Sequence, residues 1–214
     1  MTGDQLGVDL ASRCALGVSR IPVSRVPIFC ASCAERFAAG YVAWSREEDT
    51  LLPSPEMVRD AIDACWSDSP DRALVTELTQ SLMKDMPRDG QPLFTSMLSL
   101  YVVEISLLQE ALAASAAADR SHALRCSEYA LDFYLQLSDL RREVTGVKID
   151  YADPGRDVRD FESDAEAAAE ADRQLADAAS LQSDALDVDE MRATSSAHGR
   201  RVLGAVMNQL ETPQ

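Results

Sequence analysis

The stretch FTSMLSLYVVEISLLQEAL, residues 94–112, decides the fold. Its large apolar side chains recur every three or four residues, as they do on the buried face of an α-helix. They are Phe94, Met97, Leu98, Tyr101, Val102, Ile105, Leu108 and Leu112. The apolar stripe is wide, which is typical of a helix that other helices surround. We therefore predict that a helix over residues 92–118 forms the centre of a helical bundle.

The chain before this stretch carries further helix signals. Residues 24–46 have apolar side chains at helical spacing, and Pro27 lies in the first turn, where its missing N–H does no harm. Ser54 followed by Pro55 marks the start of a second helix, because serine caps helices and proline is tolerated at their first position. Ser69 followed by Pro70 repeats the device and predicts a third helix that ends near residue 85.

The chain after it is also predicted to be helical. The spacing of apolar residues predicts helices over residues 119–144, 157–185 and 187–210. Glycine and proline are sparse, at nine each in 214 residues, which disfavours a turn-rich β protein. We expect an all-α fold, a multi-helix bundle of about seven helices. The core is predicted to contain Phe29, Phe37, Trp66, Leu98, Tyr101, Ile105 and Phe133.

The domain organisation follows from where this pattern is strong. Residues 1–22 are weakly patterned and predict a weakly ordered or short-helical N-terminal arm. Residues 23–214 are predicted to form a single helical-bundle domain, since this length suits one large core.

The net charge narrows the class of partner. The chain has a formal charge of −16, which repels nucleic acid and anionic membranes, so neither is expected as a partner. The five cysteines are odd in number and do not have disulfide-scaffold spacing, which indicates a reducing compartment. The first twenty residues lack the apolar core of a secretory signal, and no apolar run is long enough to span a bilayer. We therefore expect a cytoplasmic protein.

Most of the negative charge lies in one late segment. Residues 153–190 hold thirteen acidic residues and three arginines, a net of −10 of the chain's −16. The segment has few large apolar residues, so its helix should dock by a narrow stripe and turn an acidic face outward. That face is either a solvated surface, as most charge runs are, or a surface that binds a basic partner. The residues predicted for such a surface are Tyr151, Asp153, Asp157, Asp160, Phe161, Asp164, Asp184, Asp187, Asp189 and Glu190.

Two cysteine patterns could in principle supply metal ligands. Cys30 and Cys33 are three residues apart and share a helix face, and so do His122 and Cys126, four residues apart. Together they could hold zinc. Cys30 and Cys33 lie on the apolar face of their helix, however, and free cysteine is often buried. We therefore favour packed core thiols and predict no metal and no cofactor.

No motif supports catalysis. The chain has two histidines and lacks the helical metal-site and phosphate-loop motifs, and Ser81-x-x-Lys84 lacks the companion motifs of its enzyme class. Glu104 interrupts the apolar sequence of the most hydrophobic predicted helix. A core acid paired with a partner is the favoured interpretation for it, ahead of a functional carboxylate, and the same holds for Glu35 and Arg36. We predict no catalytic residues and no enzyme.

The segment CASCAERFAAGYVAW, residues 30–44, resembles the opening signature of the YjaG-like family, a bacterial all-helical family of unknown function. That signature has a Cys-Glu-Arg step followed by an aromatic residue; here it appears as Cys33-Ala34-Glu35-Arg36, with one extra residue, and Tyr41. The helix with AIDACW and the turn KDMPRD follow in similar order. The helical plan is also similar to that of immunity proteins of polymorphic toxin systems, which implies inhibition of a toxin.

Two functions are therefore expected as alternatives. The first is a bacterial immunity protein that neutralises a cognate, basic toxin by binding it directly through an acidic surface, since opposite charges steer association. The second is an enzyme or ligand-binding bundle in which Glu35, Arg36, Glu104 and the Cys30/Cys33 pair line an internal pocket. An enzyme needs its polar groups to converge around a concave site, whereas an inhibitor needs an exposed patch.

Overall fold

The computed structural model of the chain describes residues 7–44, 53–84, 96–144 and 165–210. These ranges contain eight α-helices, a short 3₁₀-helix and no β-strand, so the predicted all-α fold is confirmed for them. The helices are α1 (Gly7–Ser19), α2 (Val26–Trp44), α3 (Pro55–Cys65), α4 (Arg72–Lys84), α5 (Ser96–Ala116), α6 (Arg120–Val144), α7 (Ala165–Ser180) and α8 (Val188–Leu210). The 3₁₀-helix Val23–Arg25 leads into α2.

Local capping explains several helix starts. Ser54 accepts a hydrogen bond from the backbone N–H of Met57 at 3.2 Å, with Pro55 at the first position, as predicted. The prediction named the wrong capping residue for α4. Asp71, not Ser69, accepts the backbone N–H of Ala73 at 2.9 Å, because its carboxylate stands immediately before the first turn.

Later helix boundaries agree in part with the predictions. Asp119 accepts the N–H of Ser121 at 2.7 Å before α6 begins, and Asp187 accepts the N–H of Glu190 at 2.9 Å before α8. The helix predicted over 157–185 ends earlier, at Ser180, and a turn over residues 181–187 follows.

Helix α2 and helix α5 share the centre of the bundle. Helix α2 packs against α3, α5, α6, α7 and α8, while α5 packs against α2, α3, α4 and α6. The prediction had named α5 alone. Of the predicted core residues, Phe29, Phe37, Tyr101, Ile105 and Phe133 are buried, Trp66 is partly buried against the core, and Leu98 lies outside the described side chains.

The helix nearest the N-terminus is docked on the bundle. Helix α1 packs against α6 and α7, and its Cys14 and Val18 are almost fully buried. Gly17 allows the approach, because a Cβ atom there would lie 2.7 Å from the Leu175 side chain of α7.

Helices α2 and α8 cross more closely still. A Cβ atom on Gly199 would lie 2.2 Å from the backbone oxygen of Arg36. Ser195, one turn earlier on the same side of α8, is also buried. This contact holds the C-terminal helix against the centre of the bundle.

Candidate functional site

The predicted partner-binding residues divide into two groups. Asp184, Asp187, Asp189 and Glu190 lie on the turn after α7 and the first turn of α8, and all four are exposed. Tyr151, Asp153, Asp157, Asp160, Phe161 and Asp164 lie outside the described residues. The four described residues are called the acidic turn below.

The backbone of the acidic turn is fixed by contacts with the rest of the bundle. Leu181 is fully buried, and the guanidinium of Arg25 donates to the carbonyl oxygens of Leu181, at 2.8 Å, and of Ser183. A cation at this place also stabilises the carbonyl end of α7. Asp187 fixes the other side of the turn as the cap of α8. The four acidic side chains therefore project from a fixed backbone.

Two acids of the same segment do not face solvent. Glu170 and Asp177 of α7 are buried and both pair with Arg36 of α2, whose Nη2 lies 2.8 Å from Glu170 Oε1 and whose Nη1 lies 2.6 Å from Asp177 Oδ2. The expectation that α7 turns its acids outward was therefore wrong for these two. Both carboxylates neutralise the charge of Arg36 inside the protein, where an unpaired charge would be strongly destabilising.

Further polar side chains complete this buried network. Ser32 donates to Asp177 at 3.1 Å, and Gln174 donates to Glu170 at 3.1 Å and to the carbonyl oxygen of Ser127. The hydroxyl of Ser127 donates back to the Gln174 side chain at 2.5 Å. The network thus joins α2, α6 and α7. Residues 170, 174 and 177 are spaced as one helix face, and that spacing is the signal in the sequence that could have revealed it.

The electrostatics of the network follow from its burial. Burial raises the pKa of Glu170 in spite of the opposing effect of Arg36. Burial alone would lower the pKa of Arg36, but the carboxylates of Glu170 and Asp177 and the Cys33 sulfur outweigh it, so the pKa is raised. Arg36 therefore stays charged, and its charge is what makes two buried acids tolerable.

His198 of α8 borders the network. Its Nε2 lies 3.9 Å from Glu170 Oε2, and each of these atoms is buried without a hydrogen-bond partner within the described structure. Burial first, and then the positive charge of Arg36, lowers the pKa of His198 to about 4. His198 is therefore neutral at neutral pH.

All five cysteines are buried free thiols. Cys33 lies 3.2 Å from Arg36 Nη2, and burial raises its pKa well above the ordinary value. Cys126 points its sulfur toward the Leu107 carbonyl, while His122 instead pairs with Glu110 at 2.7 Å. Within the described ranges, no three residues of types that bind metals come together to hold an ion.

Glu104 contradicts the expectation of a paired core acid. Its side chain is buried in α5, and neither carboxyl oxygen has a hydrogen-bond partner among the described residues. Burial raises its pKa well above the ordinary value, because the charged carboxylate loses its hydration there. It lines a small cavity between α2, α3 and α5.

Glu35 lies neither in the buried network nor at the Glu104 cavity. The indole N–H of Trp66 donates to Glu35 Oε2 at 3.1 Å, and Arg192 of α8 lies 3.4 Å from the same oxygen. Arg192 also pairs with Asp63 and lies over the Trp66 ring. The structure therefore separates Glu35, Arg36 and Glu104, which the enzyme alternative had placed around one pocket. The cavity at Glu104 includes none of Glu35, Arg36, Cys30 and Cys33.

Comparisons of the chain with known protein families, with curated proteins and with solved structures give no match. Within the described ranges, no single helix is both long and apolar enough to cross a membrane. One bent pair, Ala11–Ser19 with Val23–Tyr41 at 112°, meets the criteria of length and composition when the two are taken together.

Proposed function

We propose that this protein is an immunity protein that binds a basic toxin through the acidic turn. The observation that carries the proposal is the position of Asp184, Asp187, Asp189 and Glu190: all four are exposed on a backbone that Arg25 and the α8 cap hold in place. A surface that is ordered before binding loses less entropy when the partner arrives. Negative charge gathered on it accelerates encounter with a positive partner.

The burial of the charged network around Arg36 supports a binding role over an enzymatic one. Arg36 pairs with Glu170 and Asp177 in the interior, and all three residues are buried. An enzyme needs titratable groups around a concave site. The resemblance of the helical plan to that of immunity proteins of polymorphic toxin systems points the same way, as does the net charge of −16.

The test is to reverse charge on the acidic turn and measure binding to the protein encoded beside this gene. The variant is Asp184→Lys, Asp189→Lys and Glu190→Lys together, which leaves the capping Asp187 in place. We expect the association rate at low salt to fall by on the order of tenfold or more, with a weaker dependence on salt.

A matched control reverses three exposed acids on α3 and α4 and on the loop between them, Asp60→Lys, Asp68→Lys and Glu77→Lys. It changes the net charge equally but leaves the acidic turn intact, so we expect a smaller effect. If both variants fold and bind alike, the acidic turn is not the binding surface. If the neighbouring protein does not bind the wild-type chain at all, the immunity function is wrong.

A further inference from the structure

The cavity beside Glu104 is a pocket with one polar group. It has a volume of about 10 Å³, near the smallest that admits one water molecule, and it is partly open. Apolar and aromatic side chains form the rest of its wall. The lining residues are Ala34, Phe37, Ala38, Tyr41, Val58, Ile62, Glu104, Ile105 and Leu108.

Glu104 is an incomplete hydrogen-bonding group in this pocket. The residue is 5% exposed, and neither of its two carboxyl oxygens has a partner among the described residues. Such a group costs stability unless something binds to it. The hydroxyl of Tyr41, the other lining group that could donate, is directed to the Pro53 carbonyl oxygen at 2.6 Å.

A water molecule alone suits this site poorly. Buried waters are held by two to four polar groups. Among the described side chains of this wall, Glu104 alone offers free hydrogen-bonding capacity, and most of the wall is apolar. A ligand that matches the site has a compact head that donates several hydrogen bonds and a short apolar part. A primary ammonium on an alkyl chain has both, and its positive charge complements a carboxylate. The aromatic side chains of Phe37 and Tyr41 in the wall suit the apolar part of such a ligand.

We propose that this pocket binds a primary alkylamine. The ammonium head occupies the cavity and donates hydrogen bonds to both oxygens of Glu104. The alkyl chain lies in the open side against the apolar wall. Binding in this way favours the ionised form of Glu104, and a proton that leaves the carboxyl group passes to the solvent.

The test titrates the full-length protein with n-butylammonium at about pH 8, where an alkylamine is still charged. Amide chemical shifts in α2, α3 and α5 report occupancy. We expect saturable shifts for residues around the pocket. Glu104→Gln keeps the size of the side chain but removes the charge, and we expect it to weaken binding by on the order of tenfold or more. Glu104→Leu is expected to give the same loss, and circular dichroism verifies the fold of both variants.

Two controls separate the charge at this site from other causes. Glu128→Gln removes an exposed carboxylate from α6, and we expect it to bind n-butylammonium as the wild type does. The neutral n-butanol has the same alkyl chain, and we expect no saturable shifts from it. Equal binding of n-butanol, unchanged binding by Glu104→Gln, or no saturable shift with n-butylammonium would each overturn the proposal. None of these results bears on the acidic turn, which lies on other helices.

Discussion

Gly199 of α8 lies directly against the backbone of Arg36 in α2. A Cβ atom at residue 199 would be 2.2 Å from the Arg36 carbonyl oxygen and 2.9 Å from its carbonyl carbon. Backbone atoms cannot turn aside as a side chain can, so any larger residue must push the two helices apart.

We therefore expect Gly199→Ala to lower the free energy of unfolding by about 3 kcal/mol, at the upper end of ordinary overpacking. Chemical denaturation measures the change. Gly17→Ala is the matched control, because its Cβ atom would meet only the flexible end of Leu175. The gain in helix propensity, about 1 kcal/mol, should offset most of that strain. Equal losses for the two variants would mean that the α2–α8 contact is looser than the structure has it.

Removing the buried cation alone should be more costly than removing all three buried charges. Arg36→Met leaves Glu170 and Asp177 buried without their partner, which should lower the free energy of unfolding by about 3–5 kcal/mol at neutral pH. The triple variant Arg36→Met, Glu170→Gln, Asp177→Asn removes the charges together. We expect it to regain at least half of the loss, as measured by urea denaturation. A triple variant less stable than Arg36→Met would contradict this account.

Stability should fall in mild acid because of His198. Its pKa in the folded protein is about 4, below the ordinary value of 6.5, so between these values the unfolded chain binds a proton that the folded chain does not. Stability contributed by neutral His198 is therefore present above pH 6.5 and is lost as the pH falls toward 4. The loss should reach about 2–3 kcal/mol. His198→Gln should flatten this part of the stability profile; a profile that keeps its slope would show that another group causes it.

Glu104 should have the opposite pH dependence. Burial raises its pKa, so its cost is small in acid, where the carboxyl is neutral in both states, and grows as the pH rises toward the folded pKa. We expect Glu104→Leu to stabilise the protein by about 2 kcal/mol at neutral pH and by less at pH near 4. Thermal denaturation across this range, without added amine, measures the difference. A variant that is less stable than the wild type at neutral pH would mean that Glu104 has a partner.

The helices could be predicted because their signals are local. Apolar spacing and the Ser54–Pro55 pair lie within a few residues of the structure that they determine. Ser69 misled the prediction because Asp71, two residues on, is a competing cap closer to the helix. The exposure of Asp184, Asp187, Asp189 and Glu190 agrees with the sequence, since acids near a helix start and a turn usually face solvent.

The buried network could not be predicted in the same way. Arg36 and Glu170 are 134 residues apart in the chain, and nothing in a single sequence pairs one arginine with one of many acids. The charge count treated Glu170 and Asp177 as surface groups because it weighed residue type without burial. Glu104 was expected to have a partner by the general rule for buried charge. Only the arrangement of the surrounding helices shows that it has none among the described residues.

The burial of the cysteines makes the rate of thiol modification a measure of local unfolding. A thiol-alkylating reagent attacks the thiolate form of cysteine. Burial blocks access of the reagent, and a raised pKa, such as about 11 for Cys14, leaves little of the thiol in the thiolate form. Because all five thiols are buried, each cysteine reacts only when its surroundings come apart. Cys14 is released when α1 leaves α7, whereas Cys33 and Cys126 need the centre of the bundle to open. Modification rates at individual cysteines would thus distinguish the loss of one helix from the unfolding of the whole protein, without any introduced label.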